Sequence, residues 1–181
     1  MVALVGSPRA DGNTADLVEV AAAELGRRGI SCDRIVLGEV NILPCQGHED
    51  CESLALCPRE DGACDLLDRV YAADGLILAS PVYYEDVSAQ MKAFIDRNCF
   101  NSTHDIWLRA RSIGLIAVAE STGLDETIGT LRRYVALSSK AALTPLTASG
   151  FAYRSGDALR NEALVRSVRE LAAAMAAELQ T

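Results

Sequence analysis

Two stretches of this 181-residue chain carry residue types that could do chemistry. The first is Gly6-Ser7-Pro8-Arg9-Ala10-Asp11-Gly12-Asn13-Thr14. Ser7, Asn13 and Thr14 are short hydrogen-bonding side chains, and Arg9 is a permanent planar cation. Gly6 and Gly12 permit a tight backbone path. The loop lacks the Gly-Lys-Ser/Thr ending of a triphosphate loop, with Asn13 where the lysine would stand, and it lacks the G-x-G-x-x-G dinucleotide spacing. What remains suits one terminal phosphomonoester, as in FMN, or a capped turn with Asn13 or Thr14 as N-cap. The second stretch is Cys45-Gln46-Gly47-His48-Glu49-Asp50-Cys51, continuing to Cys57. Three thiols and an imidazole at this spacing fit three readings: an iron–sulfur cluster completed by His48 or Cys64, a Cys₃His zinc staple, or no metal, with free thiols in a mobile lid.

The elements that must position these residues alternate from end to end. Val2-Ala3-Leu4-Val5 reads as a strand and Ala15 to Gly29 as a helix, so the first loop is a strand-to-helix turn whose helix N-terminus offers unpaired N–H groups to an anion. Ile30–Leu37, Gly75–Ala79, Ile113–Ala119 and Ala142–Ala148 are further strand-like runs. Between and after them lie helical stripes through Leu66-Leu67-Val70-Tyr71, Val87-Met91-Phe94-Ile95, Leu124–Ser138 and Leu164-Val168-Leu171-Met175-Leu179. This alternation predicts a doubly wound, five-stranded parallel sheet with helices on both faces, one domain over 1–181. Ligands of such sheets sit beyond the carboxyl ends of the strands, where strand order switches. The loops Gly6–Thr14, Ser80–Val87 and Glu120–Gly123 are therefore expected to converge. The irregular stretch 38–60 is longer than an ordinary connection, which marks it as functional.

Net charge is −8 and pI is near 4.8, which argues against nucleic acid and anionic membranes as partners. No signal-like or membrane-spanning run is visible, so a cytoplasmic address is expected and the six cysteines are expected as thiols, ligands or core residues. Cys32 and Cys99 read as small core residues. His104 beside Asp105 is a candidate acid–base pair, and Trp107 is expected to be buried or at a subunit contact.

Several motifs together resemble a known family. Gly6-Ser7-Pro8-Arg9, Gly12-Asn13-Thr14, Ala73-Asp74-Gly75, Ser80-Pro81-Val82-Tyr83 and the run Val87 to Arg97 look like the flavodoxin-like NAD(P)H-dependent FMN reductases. The cysteine loop is similar to that of the iron–sulfur flavoproteins in that group. The resemblance implies a flavodoxin-like fold and an FMN-dependent oxidoreductase, with NAD(P)H as reductant and a small-molecule or protein electron acceptor. It implies that Ser7, Arg9, Gly12, Asn13 and Thr14 hold the FMN phosphate. Pro81, Val82, Tyr83 and Tyr84 match the loop against the flavin ring, and Ser121, Thr122 and Gly123 match a third flavin-side loop. Cys45, Cys51 and Cys57 match three cluster positions, with His48 in the second place and Cys64 outside the pattern. Glu85 and Asp86 replace the small residues usual after the aromatic; as acids beside the ring they would lower its potential, or they only furnish a helix N-terminus. The resemblance further implies a homodimer or homotetramer. Three other functions stay open: an iron–sulfur flavoprotein in electron transfer, a non-enzymatic flavodoxin-like carrier, and a metal-stapled binding module without flavin.

Overall fold

The computed structural model describes residues 1–181. Its strands are β1 (Val2–Val5), β2 (Asp33–Val36), β3 (Gly75–Tyr83), β4 (Asp86–Val87), β5 (Ser112–Ala119) and β6 (Leu146–Phe151). Five of them form a parallel sheet in the order β2-β1-β3-β5-β6, and β4 pairs antiparallel with the end of β3. The order reverses between β1 and β3, which places the switch point between the loops that follow these two strands.

The helices are α1 (Asn13–Arg27), α2 (Ala63–Ala72), α3 (Ala89–Arg97), α4 (Cys99–Thr103), α5 (Leu124–Ser138), α6 (Asp157–Arg160) and α7 (Glu162–Gln180). Alternate residues of each strand point to opposite faces. Leu4, Leu76, Leu78, Ile113 and Leu115 meet α2, α3 and α5 on one face, while Ala3, Val5, Ile77, Ala79 and Ile116 meet α1 and α7 on the other. Strands β1 and β5 are buried along their whole length, which explains their unbroken apolar runs.

Three boundaries differ from the sequence reading. The second strand is confined to Asp33–Val36, because the chain turns into a 3-10 helix at Leu37–Glu39. The last strand begins at Leu146, just after Pro145, and runs on to Phe151. It is an edge strand whose Ala148 is buried between exposed neighbours, so apolar continuity does not mark it. The segment expected as a loop after the third strand is instead a strand and hairpin, with Pro81 opposite Val118 near the ladder's end, where its missing N–H is tolerated.

Leu4 has no exposed surface. Leu4→Ala is expected to lower stability by about 3–5 kcal/mol, read as a lower urea midpoint at unchanged slope.

Candidate cofactor site

The first two loops beyond the strand ends are tied together by buried hydrogen bonds. Gly6 N–H donates to Ala79 O at 2.7 Å. A side chain on Gly6 would stand 3.0 Å from that carbonyl and 3.1 Å from Met91 Cβ, so glycine is needed for the close approach. Ser88 caps α3: its Oγ accepts from Met91 N–H at 3.1 Å and donates to Gly6 O. Ser88 N–H donates to Ser80 Oγ at 3.1 Å, and Ser80 Oγ donates to Pro81 O at 2.8 Å. Neither serine has exposed surface.

The second loop is joined to the third. Thr122 Oγ1 donates to Glu85 Oε1 at 2.5 Å. Gly123 has φ +82°, and a Cβ there would lie 2.6 Å from Val82 Cγ1 and 2.9 Å from Glu85 Cα. Tyr84 and Glu85 form the two-residue hairpin turn with φ +49° and +68°. Positive φ at both positions is a type I′ turn, which normally takes Asn-Gly; with side chains each costs of order 1 kcal/mol. The turn presents Tyr84 fully to solvent, at 102 % exposure. Asp86 accepts from Val87 N–H at 2.7 Å. Both acids are thus engaged within the hairpin and its neighbour, and the helix cap is Ser88.

At the first loop, Ser7 is buried and its Oγ accepts from Arg9 N–H at 3.0 Å. The N-cap of α1 is Gly12, not Asn13 or Thr14, and no side chain caps it. A Cβ on Gly12 would enter space bordered by Ser7 Oγ at 3.6 Å and Arg9 Nε at 3.7 Å. A hydroxyl, a guanidinium and an uncapped helix turn therefore border one small cradle, a donor set that fits a phosphate. Thr14 is buried beside it in the first turn. Asn13 is committed elsewhere: its Nδ2 donates to Arg154 O at 2.9 Å and its Oδ1 accepts from Ala158 N–H at 3.2 Å. It staples the loop to the turn before α6, a role with no local signal in the sequence.

The cysteine loop is organised by Arg97, the last residue of α3. Arg97 donates to Leu43 O at 3.1 Å, to Cys57 Sγ at 3.3 Å and to the Asp61 carboxylate. The two ionic side chains are 2 % and 0 % exposed. Asp61 also accepts from Leu43 N–H at 2.8 Å and Ala63 N–H at 3.0 Å. Burial alone would raise its pKa; the guanidinium and the two N–H groups outweigh that and hold it below the ordinary carboxylate value.

Cys45, His48, Cys51 and Cys57 line one cavity of about 30 Å³, and Cys99 lines it with them. Cys99 is therefore not the core residue the sequence suggests: it is exposed, and partial desolvation together with the Cys51 and Cys45 thiols pushes its pKa up. Cys64 lies in the first turn of α2 and lines a neighbouring cavity with Cys57 and Arg97. No three His, Cys, Asp or Glu side chains converge on one ion. Cys32 does pack against the core, and burial pushes its thiol up to about 11. His104 and Asp105 do not pair. The His104 ring lies 2.8 Å from Phe100 O and 2.8 Å from Leu54 O, pinning the cysteine loop to α4, whereas Asp105 holds Trp107 Nε1 and Lys140. Trp107 is partly buried on that side of the fold, with Lys140 Nζ 5.2 Å from its ring centre.

With this geometry in view, the sequence pattern of the NADPH-dependent FMN reductases matches residues 1–151, which includes all three loops. The chain belongs to this family. Among its curated relatives, an iron–sulfur flavoprotein of Methanocaldococcus jannaschii is 39 % identical over 98 residues, covering 54 % of this chain and 51 % of the relative. An iron–sulfur flavoprotein of Archaeoglobus fulgidus is 35 % identical over 127 residues, covering 70 % of this chain and 57 % of the relative. The chain thus spans a little over half the length of these curated relatives. In fold it is similar to the crystal structure of RosB with a bound flavin-phosphate intermediate, at TM-score 0.78 and 16 % identity over 99 % of this chain and 79 % of that one.

Two outcomes are expected of this geometry. Ser88→Ala leaves Gly6 O and Met91 N–H without their buried partner and is expected to cost about 1–3 kcal/mol, read by thermal or urea unfolding. Asp61 has a depressed pKa in the folded state, so its stabilisation is full above the ordinary carboxylate value of 3.8 and is lost as pH falls through the lower folded value. Below about pH 4 the 43–62 segment is expected to lose hydrogen-exchange protection ahead of the sheet. Asp61→Asn is expected to abolish that acid step while weakening the segment at neutral pH.

Proposed function

We propose that the chain binds FMN across these three loops and acts as an FMN-dependent oxidoreductase, taking electrons from NADH or NADPH and delivering them to a small-molecule or protein acceptor. The observation that carries this reading is the meeting of Ser7 Oγ and Arg9 Nε beside Gly12 at the uncapped start of α1, inside the family-matched residues 1–151. Ser7 Oγ, Arg9 and the first-turn N–H groups hold the phosphate dianion, and Gly12 keeps the cradle open. Thr14 lines the first turn, and Asn13 fixes the loop's path through the 154–158 turn. Pro81, Val82, Tyr83 and Tyr84, with Ser121, Thr122 and Gly123 packed against them, border the ring. The Thr122–Glu85 hydrogen bond keeps these two segments in register. Bound FMN supplies hydride and electron transfer at its N5. The chain's part is to position that atom and shield it; no side chain is assigned as catalytic.

A second reading, an iron–sulfur flavoprotein in electron transfer, is favoured by one observation: the ligand-type residues of the cysteine loop gather around one cavity. Six unpaired cysteines suit a reducing, cytoplasmic compartment. No helix is long and apolar enough to cross a membrane. Exposed Tyr84, Phe151 and Tyr153 at the strand-end rim suit burial by a second copy in a homodimer or homotetramer.

Arg9→Glu is expected to weaken FMN binding about 10- to 100-fold, the worth of a charge-assisted hydrogen bond, with unchanged stability of the apoprotein. Anaerobic mixing of the FMN-loaded protein with NADH or NADPH is expected to bleach the flavin absorbance, with turnover on adding a quinone or free flavin. Retained FMN that neither nicotinamide reduces would contradict the NAD(P)H-linked activity and leave electron transfer fed by another donor.

A further inference from the structure

The cysteine pocket offers five ligand-type side chains for a group that takes four. Three of them, Cys45, Cys51 and Cys57, come from the loop; the choice for the fourth lies between His48 and Cys99. We propose that Cys99 supplies the fourth thiolate of an iron–sulfur cluster held with Cys45, Cys51 and Cys57, so that one ligand comes from α4, outside the cysteine loop, and His48 is not bound. This rests on the iron–sulfur flavoprotein reading above.

Cys99 stands on a fixed element. Asn98, just before it, is buried; its Nδ2 donates to Phe94 O at 2.6 Å and to Ile95 O at 3.3 Å, and its Oδ1 accepts from Tyr134 Oη at 3.1 Å. The loop is docked onto the same helix through Leu54 O and the His104 ring, at 2.8 Å, with Thr103 Oγ1 3.9 Å from Cys51 Sγ. His48 has no such support. It follows Gly47 at φ +63°, in the loop and outside any helix or strand. Ligating histidines ordinarily have the second nitrogen held by an acceptor, which sets tautomer and ring orientation. Thiolate is also the usual ligand of such clusters, with imidazole the exception.

The pocket's polarity fits an anionic, sulfur-rich occupant. Arg59 lines it, and its buried Nε has no acceptor within the protein. Arg97 Nη2 already donates to Cys57 Sγ at 3.3 Å and Gly47 N–H to Cys45 Sγ at 3.4 Å. N–H donors around ligand sulfurs are what such a cluster uses to offset its charge and set its potential. The sulfurs share one cavity without converging on a single ion, as suits thiolates that bind different irons of one cluster.

The test is iron and acid-labile sulfide per chain after anaerobic purification, in the full protein and in Cys99→Ala, His48→Ala and Cys64→Ala, with FMN content as the folding control. Cys99→Ala is expected to lower iron and sulfide about tenfold at unchanged FMN, while His48→Ala and Cys64→Ala stay near wild type. Pulsed EPR of the reduced wild-type cluster is expected to show no imidazole nitrogen coupling. Wild-type iron in Cys99→Ala, or an imidazole coupling removed by His48→Ala, would overturn the assignment of Cys99 while leaving the cluster in place. Iron- and sulfide-free wild-type protein that still binds FMN would overturn the iron–sulfur reading itself and the assignment with it.

Discussion

A single buried hydroxyl holds the functional end of this fold together. Ser88 Oγ donates to Gly6 O and accepts from Met91 N–H, and Ser88 N–H donates to Ser80. It thereby joins the turn after β1, the strand end of β3 and the start of α3. In an interior without water, each of these groups needs its partner, so the three segments have one low-energy arrangement. The open rim between β1 and β3 follows from that arrangement, and the cradle at Gly12 and the Tyr84 hairpin lie on either side of it.

The same helix carries both candidate redox sites. Ser88 caps α3 at the strand-end rim, and Arg97 closes it at the cysteine loop. Nine residues of helix span about 13.5 Å at 1.5 Å per residue. Each end is pinned by a buried polar residue, one neutral and one ionic, so a movement at the rim and a movement in the cysteine loop share one rigid element. The buried Arg97–Asp61 pair is weak evidence for net stability, because desolvation offsets its attraction. What it supplies is a fixed course for the chain from Leu43 to Ala63, which has little core of its own to direct it.

The parts legible in the sequence are those with a local physical signature. Unbroken apolar runs gave away β1 and β5 because both faces of those strands are covered. The helical stripe at Leu124–Ser138 was readable to the residue, and the loop at Gly6–Thr14 was marked by its glycines and short polar side chains. What stayed hidden depends on partners far away in the chain. Nothing near Asn13 in the sequence shows that its amide joins Arg154 O and Ala158 N–H. His104 and Asp105 look like a pair, but neighbours in sequence point to different surfaces here. Cys99 reads as core because it follows an apolar helical stripe, yet the helix breaks at Asn98 and turns the thiol toward the cysteine loop. The β3–β4 hairpin was obscured by Pro81, a residue that argues against a strand everywhere except near its end.

The central claim is that the start of α1 binds the phosphate of a flavin. Parallel titrations of the apoprotein with FMN and with riboflavin, followed by flavin fluorescence, test it most directly, because the two ligands differ only in that phosphate. The account predicts that FMN binds at least about 100-fold more tightly and that inorganic phosphate competes with it. Equal affinity for the two flavins, or binding of neither, would contradict it.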